Sequence, residues 1–276
     1  MEPKLWQKIL ARGFIALMLL LTYLPILVLI IFSFTQVQAG QWTGFSFAAY
    51  KNIVDSPELL TAALNTFILA GSAAFIATVM GTFAAIGLVN MKRKAARAAV
   101  NGVNQIPVVN ADIVTAISIM LLFVALRDMG AALQNEWLHL IIGHTVITTP
   151  FVVLAVMPRL RQLNQNVYEA ALDLGATPFQ ATVKILIPQL VPAMITAFAL
   201  AFTLSIDDFV VAQYNSESIQ TISTYIYKML TGKPTAKSQD AARAFSAILF
   251  TVVFGALMLI NIKSMKAGRK AKREKA

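Results

Sequence analysis

Three aspartates, Asp112, Asp207 and Asp208, stand in stretches that are otherwise almost wholly apolar. A carboxylate at the centre of a membrane helix costs roughly 2.5–3.5 kcal/mol on insertion scales, so such a group faces a partner or a water-filled path. No lysine or arginine lies in the same stretches to pair with them. The missing partner is then a positive charge from outside the chain, and the chemistry is reversible cation binding rather than bond making. Successive helical residues point about 100° apart, so only one of Asp207 and Asp208 can face a path squarely. A second reading of the pair is structural: one of them caps a broken helix or bonds to Ser205.

Other chemistries find no residues to perform them. A phosphate-cradling loop needs G-x-x-x-x-G-K-[ST]. The one Gly-Lys pair, Gly232-Lys233, is followed by Pro234 and lacks the upstream glycine. The chain is therefore expected not to hydrolyse ATP, to bind no cofactor and to hold no catalytic residue. Its two histidines, His139 and His144, form no His-Glu-x-x-His pattern, and there is no cysteine. No metal site is expected, and both histidines are read as hydrogen-bonded packing residues.

The elements that must position the acids are membrane helices. Only 13% of the 276 residues are charged and 58% are hydrophobic, against roughly 25% charged in a soluble domain. Runs of about 20 apolar residues can span a bilayer, and six are expected, near 13–34, 59–89, 103–126, 137–157, 189–214 and 244–262. The first resembles a signal peptide, with Val37-Gln38-Ala39 as a cleavage site, but its length favours an uncleaved span. With the N-terminus inside, 17 basic residues fall on the inner segments and six on the outer ones. That asymmetry obeys the positive-inside rule, places both termini in the cytoplasm and assigns the net charge of +10 to topology rather than to nucleic acid. Residues 90–101 read as a short basic inner loop. Residues 35–58, with Trp42, Phe45, Phe47 and Tyr50, read as an interfacial or partly folded outer cap, and a short helix is expected around 219–230.

Between spans four and five lies a capped helix pair. Asn166 is read as an N-cap with Glu169 three residues on, in a capping box. Gly175 ends the first helix in the left-handed region, and Thr177-Pro178 starts a second. Glu169-Ala170-Ala171, three residues, Gly175, nine residues, then Ile185-x-Ile187-Pro188 resembles the signature loop of the membrane subunits of binding-protein-dependent ABC importers. Ile187 stands where that family usually has Leu, a volume-conserving change. The resemblance implies an all-α integral membrane protein with the type I ABC importer permease fold, six transmembrane helices and a cytoplasmic coupling-helix pair. It divides the chain into a first span and outer loop (1–58), an importer transmembrane domain (59–262) and a basic cytoplasmic tail (263–276). It also implies that Glu169, Ala170, Ala171, Gly175, Ile185 and Pro188 couple to a separate ATPase subunit, which binds ATP and Mg.

Thr203-Leu204-Ser205-Ile206-Asp207-Asp208 and Asp112-Ile113-Val114 are similar to segments of spermidine/putrescine importer permeases. That resemblance implies a polyamine cargo in the bacterial cell membrane, passing Asp112, Asp207, Asp208 and Tyr214, the last by a cation–π contact. The implied partners are two ATPase copies, a second permease subunit, an extracytoplasmic binding protein and the lipid bilayer. Rival expectations are an importer for a metal ion or thiamine, an ion-coupled secondary carrier, and a membrane scaffold. A secondary carrier would show inverted repeats, and none stands out.

Overall fold

The computed structural model describes residues 5–38, 41–128, 135–232 and 236–273. It forms two compact units, one of Met1–Leu60 with Ile226–Ala276 and the other of Thr61–Tyr225. In chain order the elements are α1 (Leu5–Ser33), β1 (Thr35–Gln38), β2 (Gln41–Phe45), α2 (Ala48–Val54), α3 (Pro57–Asn90), α4 (Lys94–Val109), α5 (Asp112–Asp128) and α6 (Glu136–Gln162). Then come α7 (Gln165–Asp173), α8 (Pro178–Ala181), a π turn (Thr182–Leu186), α9 (Ile187–Asp207), α10 (Val210–Asn215), α11 (Ile222–Thr231) and α12 (Ala236–Arg273).

Among the described residues, four helical runs are long and apolar enough to cross a membrane: Leu10–Ser33, Pro57–Asn90, Glu136–Gln162 and Pro178–Asp207. The bent pair α4 and α5 makes a fifth if the two count as one span. The sixth expected run, 244–262, lies within α12, which continues as helix to Arg273.

In the first unit α1 and α2 pack on α12, with Tyr23 and Phe254 edge to face at 6.5 Å between ring centroids. The segment after α1 is folded. β1 and β2 pair antiparallel, Ser33 Oγ and Tyr50 Oη share a hydrogen bond of 2.7 Å, and the Phe34 ring lies 5.1 Å from that of Tyr50. The large apolar side chains of α1, among them Leu10, Phe14 and Leu20, stay exposed. Such a surface suits hydrocarbon rather than water.

The second unit has one main core. Ala74, Ala77 and Ala85 of α3 meet Val152, Val153 and Val156 of α6 and Leu190, Ala197 and Ala201 of α9. Apolar lipid provides no hydrophobic drive between helices, so close packing of small residues takes its place. At Gly81 the approach is so close that a Cβ would lie 2.6 Å from Val152 Cγ1.

Three expected boundaries change. Residues 90–101 are not a loop: helix α4 begins at Lys94, because Lys94-Ala95-Ala96-Arg97-Ala98-Ala99 is built from strong helix formers despite its charge. The run 103–126 is not one helix but two meeting at 108°. Pro107 withholds a backbone N–H near the end of α4, and Asn110 is extended at ψ 153°. The run 189–214 is likewise broken, between Asp207 and Val210.

Gly81→Ala is expected to lower stability by about 1–3 kcal/mol through overpacking. Gly87→Ala on the same helix, where a Cβ meets nothing within 4 Å, should be neutral or stabilising by up to about 1 kcal/mol. Thermal unfolding of the two variants in detergent tests the contrast.

Candidate functional site

Both helix breaks in the second unit carry the acids. Asp112 is the first residue of α5, where a negative charge complements the positive end of the helix dipole. Asp207 is the last residue of α9, and Asp208 caps it with ψ 124°. Asp208 Oδ2 accepts a hydrogen bond from the backbone N–H of Ala212 at 3.1 Å, satisfying a donor at the start of α10. Ser223 Oγ donates to the Asp208 carbonyl at 2.9 Å. A helix interrupted in a membrane needs such substitutes for its freed backbone groups. The second reading of the pair thus holds for Asp208.

The helices that follow the two breaks pack together. Helix α10 packs on α5, and Asn215 Nδ2 donates to the Ala116 carbonyl of α5 at 3.3 Å. Asp112 and Asp207 are close enough to Asp208 for their charges to repel it. Asp112 and Asp207 are exposed, whereas the Asp208 side chain is only 8% exposed. Turning away at the end of α9 separates the roles of two adjacent carboxylates. One is fixed by structure, and its neighbour is open.

His144 completes the junction, and it was not singled out from sequence as part of the acidic site. It is fully buried on α6, with Nδ1 2.8 Å from Ser205 Oγ and Nε2 3.5 Å from Asp208 Oδ2. The cluster ties α6 to the end of α9 through a polar contact between residues 61 apart. The one available signal was a histidine in an apolar run, which alone names no partner. His139 instead stacks on Phe123, with ring centroids 4.1 Å apart.

Tyr214 lies apart from the three aspartates, on the wall of a cavity of about 600 Å³ that also takes in Phe123, Glu136, His139 and Glu217. Glu136 Oε2 accepts hydrogen bonds from Ser216 Oγ (2.7 Å), Ser218 Oγ (2.8 Å) and the Ser218 N–H (3.0 Å). That carboxylate therefore pins the loop after α10. Glu217 is exposed, so the cavity presents an aromatic ring and an open carboxylate together.

The helix pair after α6 keeps its expected outline with one shift at its start. Asn164, not Asn166, is the N-cap: its Oδ1 accepts from the Asn166 N–H at 3.0 Å. Both residues are asparagine, and α7 begins two residues earlier than Glu169 would require for a capping box. Gly175 is left-handed at φ +88°. Its N–H donates to the Leu172 carbonyl at 2.9 Å, and that of Ala176 to Ala171 at 3.0 Å, the paired bonds of a Schellman ending. Thr177 and Gln180 form the reciprocal capping box of α8, with Pro178 next. No second short helix closes the pair. The chain runs on from α8 through the π turn into α9 as one span, Pro178–Asp207. Pro188 cannot donate, and the Ile187 N–H reaches the Thr182 carbonyl, five residues back.

Glu169, Ala170, Gly175 and Pro188 are exposed, and Ala171 and Ile185 are half-buried. Leu174 and Phe179 are 89% and 70% exposed. Two large apolar side chains held out by rigid caps make a surface that a partner can cover.

Residues 77–266 match the family described as "Binding-protein-dependent transport system inner membrane component". The chain is 35% identical over 196 residues to the putrescine transport system permease protein PotI of Escherichia coli (strain K12), covering 70% of each chain. It is 32% identical over 225 residues to the spermidine/putrescine transport system permease protein PotC of the same strain, covering 81% of this chain and 83% of that one. Among solved structures, a bacterial ABC transporter involved in the import of the acidic polysaccharide alginate matches with a TM-score of 0.64 at 20% identity, over 96% of this chain and 99% of that one. An inward-facing MetNI methionine ABC transporter matches with a TM-score of 0.52 at 17% identity, over 77% and 95%. Those two likenesses concern the fold. With its capped helix pair, its broken spans and a family match over most of its length, the chain belongs to the inner membrane components of binding-protein-dependent transport systems.

Proposed function

We propose that this chain is a permease subunit of an ABC importer that moves polyamines into the bacterial cell, driven by ATP hydrolysed in a separate subunit. The observation that carries the cargo is the pair of exposed carboxylates, Asp112 and Asp207, at the two helix breaks beside a third acid. Among the described residues neither is ion-paired with a lysine or arginine. A linear polyamine carries several ammonium groups and can satisfy more than one carboxylate at once, which a monovalent cation cannot. The names of the putrescine and spermidine/putrescine relatives support the same cargo class. An anion would meet repulsion at this point.

Leu174 and Phe179, with Glu169 and Ala170 beside them, would seat in the ATPase, which holds ATP and Mg. The 30 residues of Pro178–Asp207 form one helical run, about 45 Å at 1.5 Å per residue. A displacement of α8 would then reach Asp207 through continuous backbone. A second permease subunit would complete the path, and an extracytoplasmic binding protein would deliver cargo at the opposite end. On this reading both termini are cytoplasmic, as the charge asymmetry favours. In this scheme Tyr214 and Glu217 would form an earlier contact for the cation, the ring face attracting an ammonium.

Asp112→Asn and Asp207→Asn should each raise the KM of putrescine uptake by about ten-fold or more, the loss of one charged contact, with normal amounts of folded protein. Unchanged uptake by the double variant would sink the cargo role. Asp208→Asn and His144→Ala should instead destabilise the chain by about 1–3 kcal/mol, by leaving buried polar groups unsatisfied. Their readout is thermal unfolding in detergent. Gly175→Val forces a branched side chain into the left-handed region, so it should reduce co-purification of the ATPase while leaving the spans folded. A variant that retains its ATPase and its uptake would count against docking through this turn.

A further inference from the structure

A second cavity of the second unit, about 670 Å³, opens at the end where α3 and α6 terminate. Lys94, Arg97 and Arg161 line it, and no lining residue is acidic. The remaining walls are largely apolar, with Leu88, Val89 and Leu154 among them. Arg97 is committed to structure: its Nε donates to the Leu88 carbonyl at 2.6 Å and its Nη2 to the Val89 carbonyl. These contacts fix the start of α4 against the last turn of α3. Among the described residues Arg161 has the Met157 thioether as its side-chain partner, at 3.2 Å. Among the described residues neither Lys94 nor Arg161 has a carboxylate partner.

Helix α4 adds an independent observation. It buries none of its residues, and Val100, Val103, Ile106 and Val109 are 45–83% exposed. These side chains repeat every third residue, while Arg97 and Asn101 turn to the cavity. The basic first turn of α4 suits headgroup level, and the exposed apolar side chains that follow suit acyl chains. The adjoining ends of two spanning helices, α3 and α6, put the cavity at the same depth.

We propose that this cavity binds the headgroup of an anionic phospholipid, with the phosphate between Lys94 and Arg161 and an acyl chain along the apolar wall. Basic pockets between transmembrane helices are suited to such headgroups. Two uncommitted cations with no lining carboxylate suit an anion, and the apolar wall favours one that carries a chain over a small free ion. The site is separate from the acidic breaks and does not depend on which cargo is moved.

The test uses the complete transporter in phosphatidylcholine nanodiscs containing phosphatidylglycerol, with lipid retained after detergent exchange measured by mass spectrometry. Lys94→Gln/Arg161→Gln should lower retained phosphatidylglycerol roughly 30-fold, at about five- to six-fold per cation removed. Lys92→Gln/Arg159→Gln removes two charges from the same end outside the cavity and should retain the lipid. Lys94→Arg/Arg161→Lys preserves both charges and should retain it as well, which separates lost binding from lost folding. Equal retention by the first variant and the wild type would overturn the site. Equal losses in both Gln variants would reduce it to general surface charge and overturn it too. Displacement of phosphatidylglycerol by millimolar inorganic phosphate would reassign it to a small anion. Loss of the ATPase subunit with lipid retained would reassign it to a protein contact.

Discussion

Hydrocarbon offers no partner to a free backbone N–H or to a bare carboxylate, and the second unit meets each deficit with the other. Where α9 stops, the start of α10 is left with donors that an unbroken helix would have used. Asp208 accepts one of them, from Ala212, and its own carbonyl accepts from Ser223. The buried His144 imidazole faces the same carboxylate and bonds Ser205 one turn back on α9. A broken span without the acid would expose backbone to lipid, and the acid without the break would lack donors. The two features stabilise one another, and the position of Asp207 follows from them.

The same constraint explains how adjacent, chemically identical residues come to differ. Asp208 is turned inward, and its carboxylate is held by the Ala212 N–H. Asp207 remains exposed, and Asp112 is brought toward it because α10 packs on α5. On the proposed reading, a ligand bearing several ammonium groups would answer more than one of these acids at once.

What could be read from sequence was what short-range chemistry decides. The ending at Gly175 and the restart at Thr177-Pro178 depend on residues within a turn of each other, and both appear as expected. The acids were conspicuous by type, because charge in an apolar run is rare. The breaks were only partly legible: Pro107, Asn110 and Asp112 stand at the first and the Asp207-Asp208 pair at the second, but long apolar runs flank both. They depend on contacts with α6 and α11 that are distant in sequence. His144 is the clearest case: its role needs Ser205, 61 residues away, and no local pattern could supply that. Lys94–Ala99 misled in the opposite direction, because its charge suggested a loop where its alanines make a helix.

Charge is also sorted along this unit in a way that bears on transport. The cations at Lys94, Arg97 and Arg161 stand where α3 and α6 end, and the acids stand at breaks within the spans. At 0.15 M ionic strength exposed charges are screened within about 8 Å, but charges in a low-dielectric interior act farther. A cation drawn to Asp112 and Asp207 would therefore be held by a local field that a distant basic rim weakens little in water. On the proposed reading, release of cargo would need a change at the acids themselves. The continuous backbone of Pro178–Asp207 offers one route for that change, because it joins the exposed Phe179 to the end of α9 without a loop to absorb motion. The π turn within it widens the helix locally without interrupting it, so Pro188 can sit in this run without uncoupling its two ends.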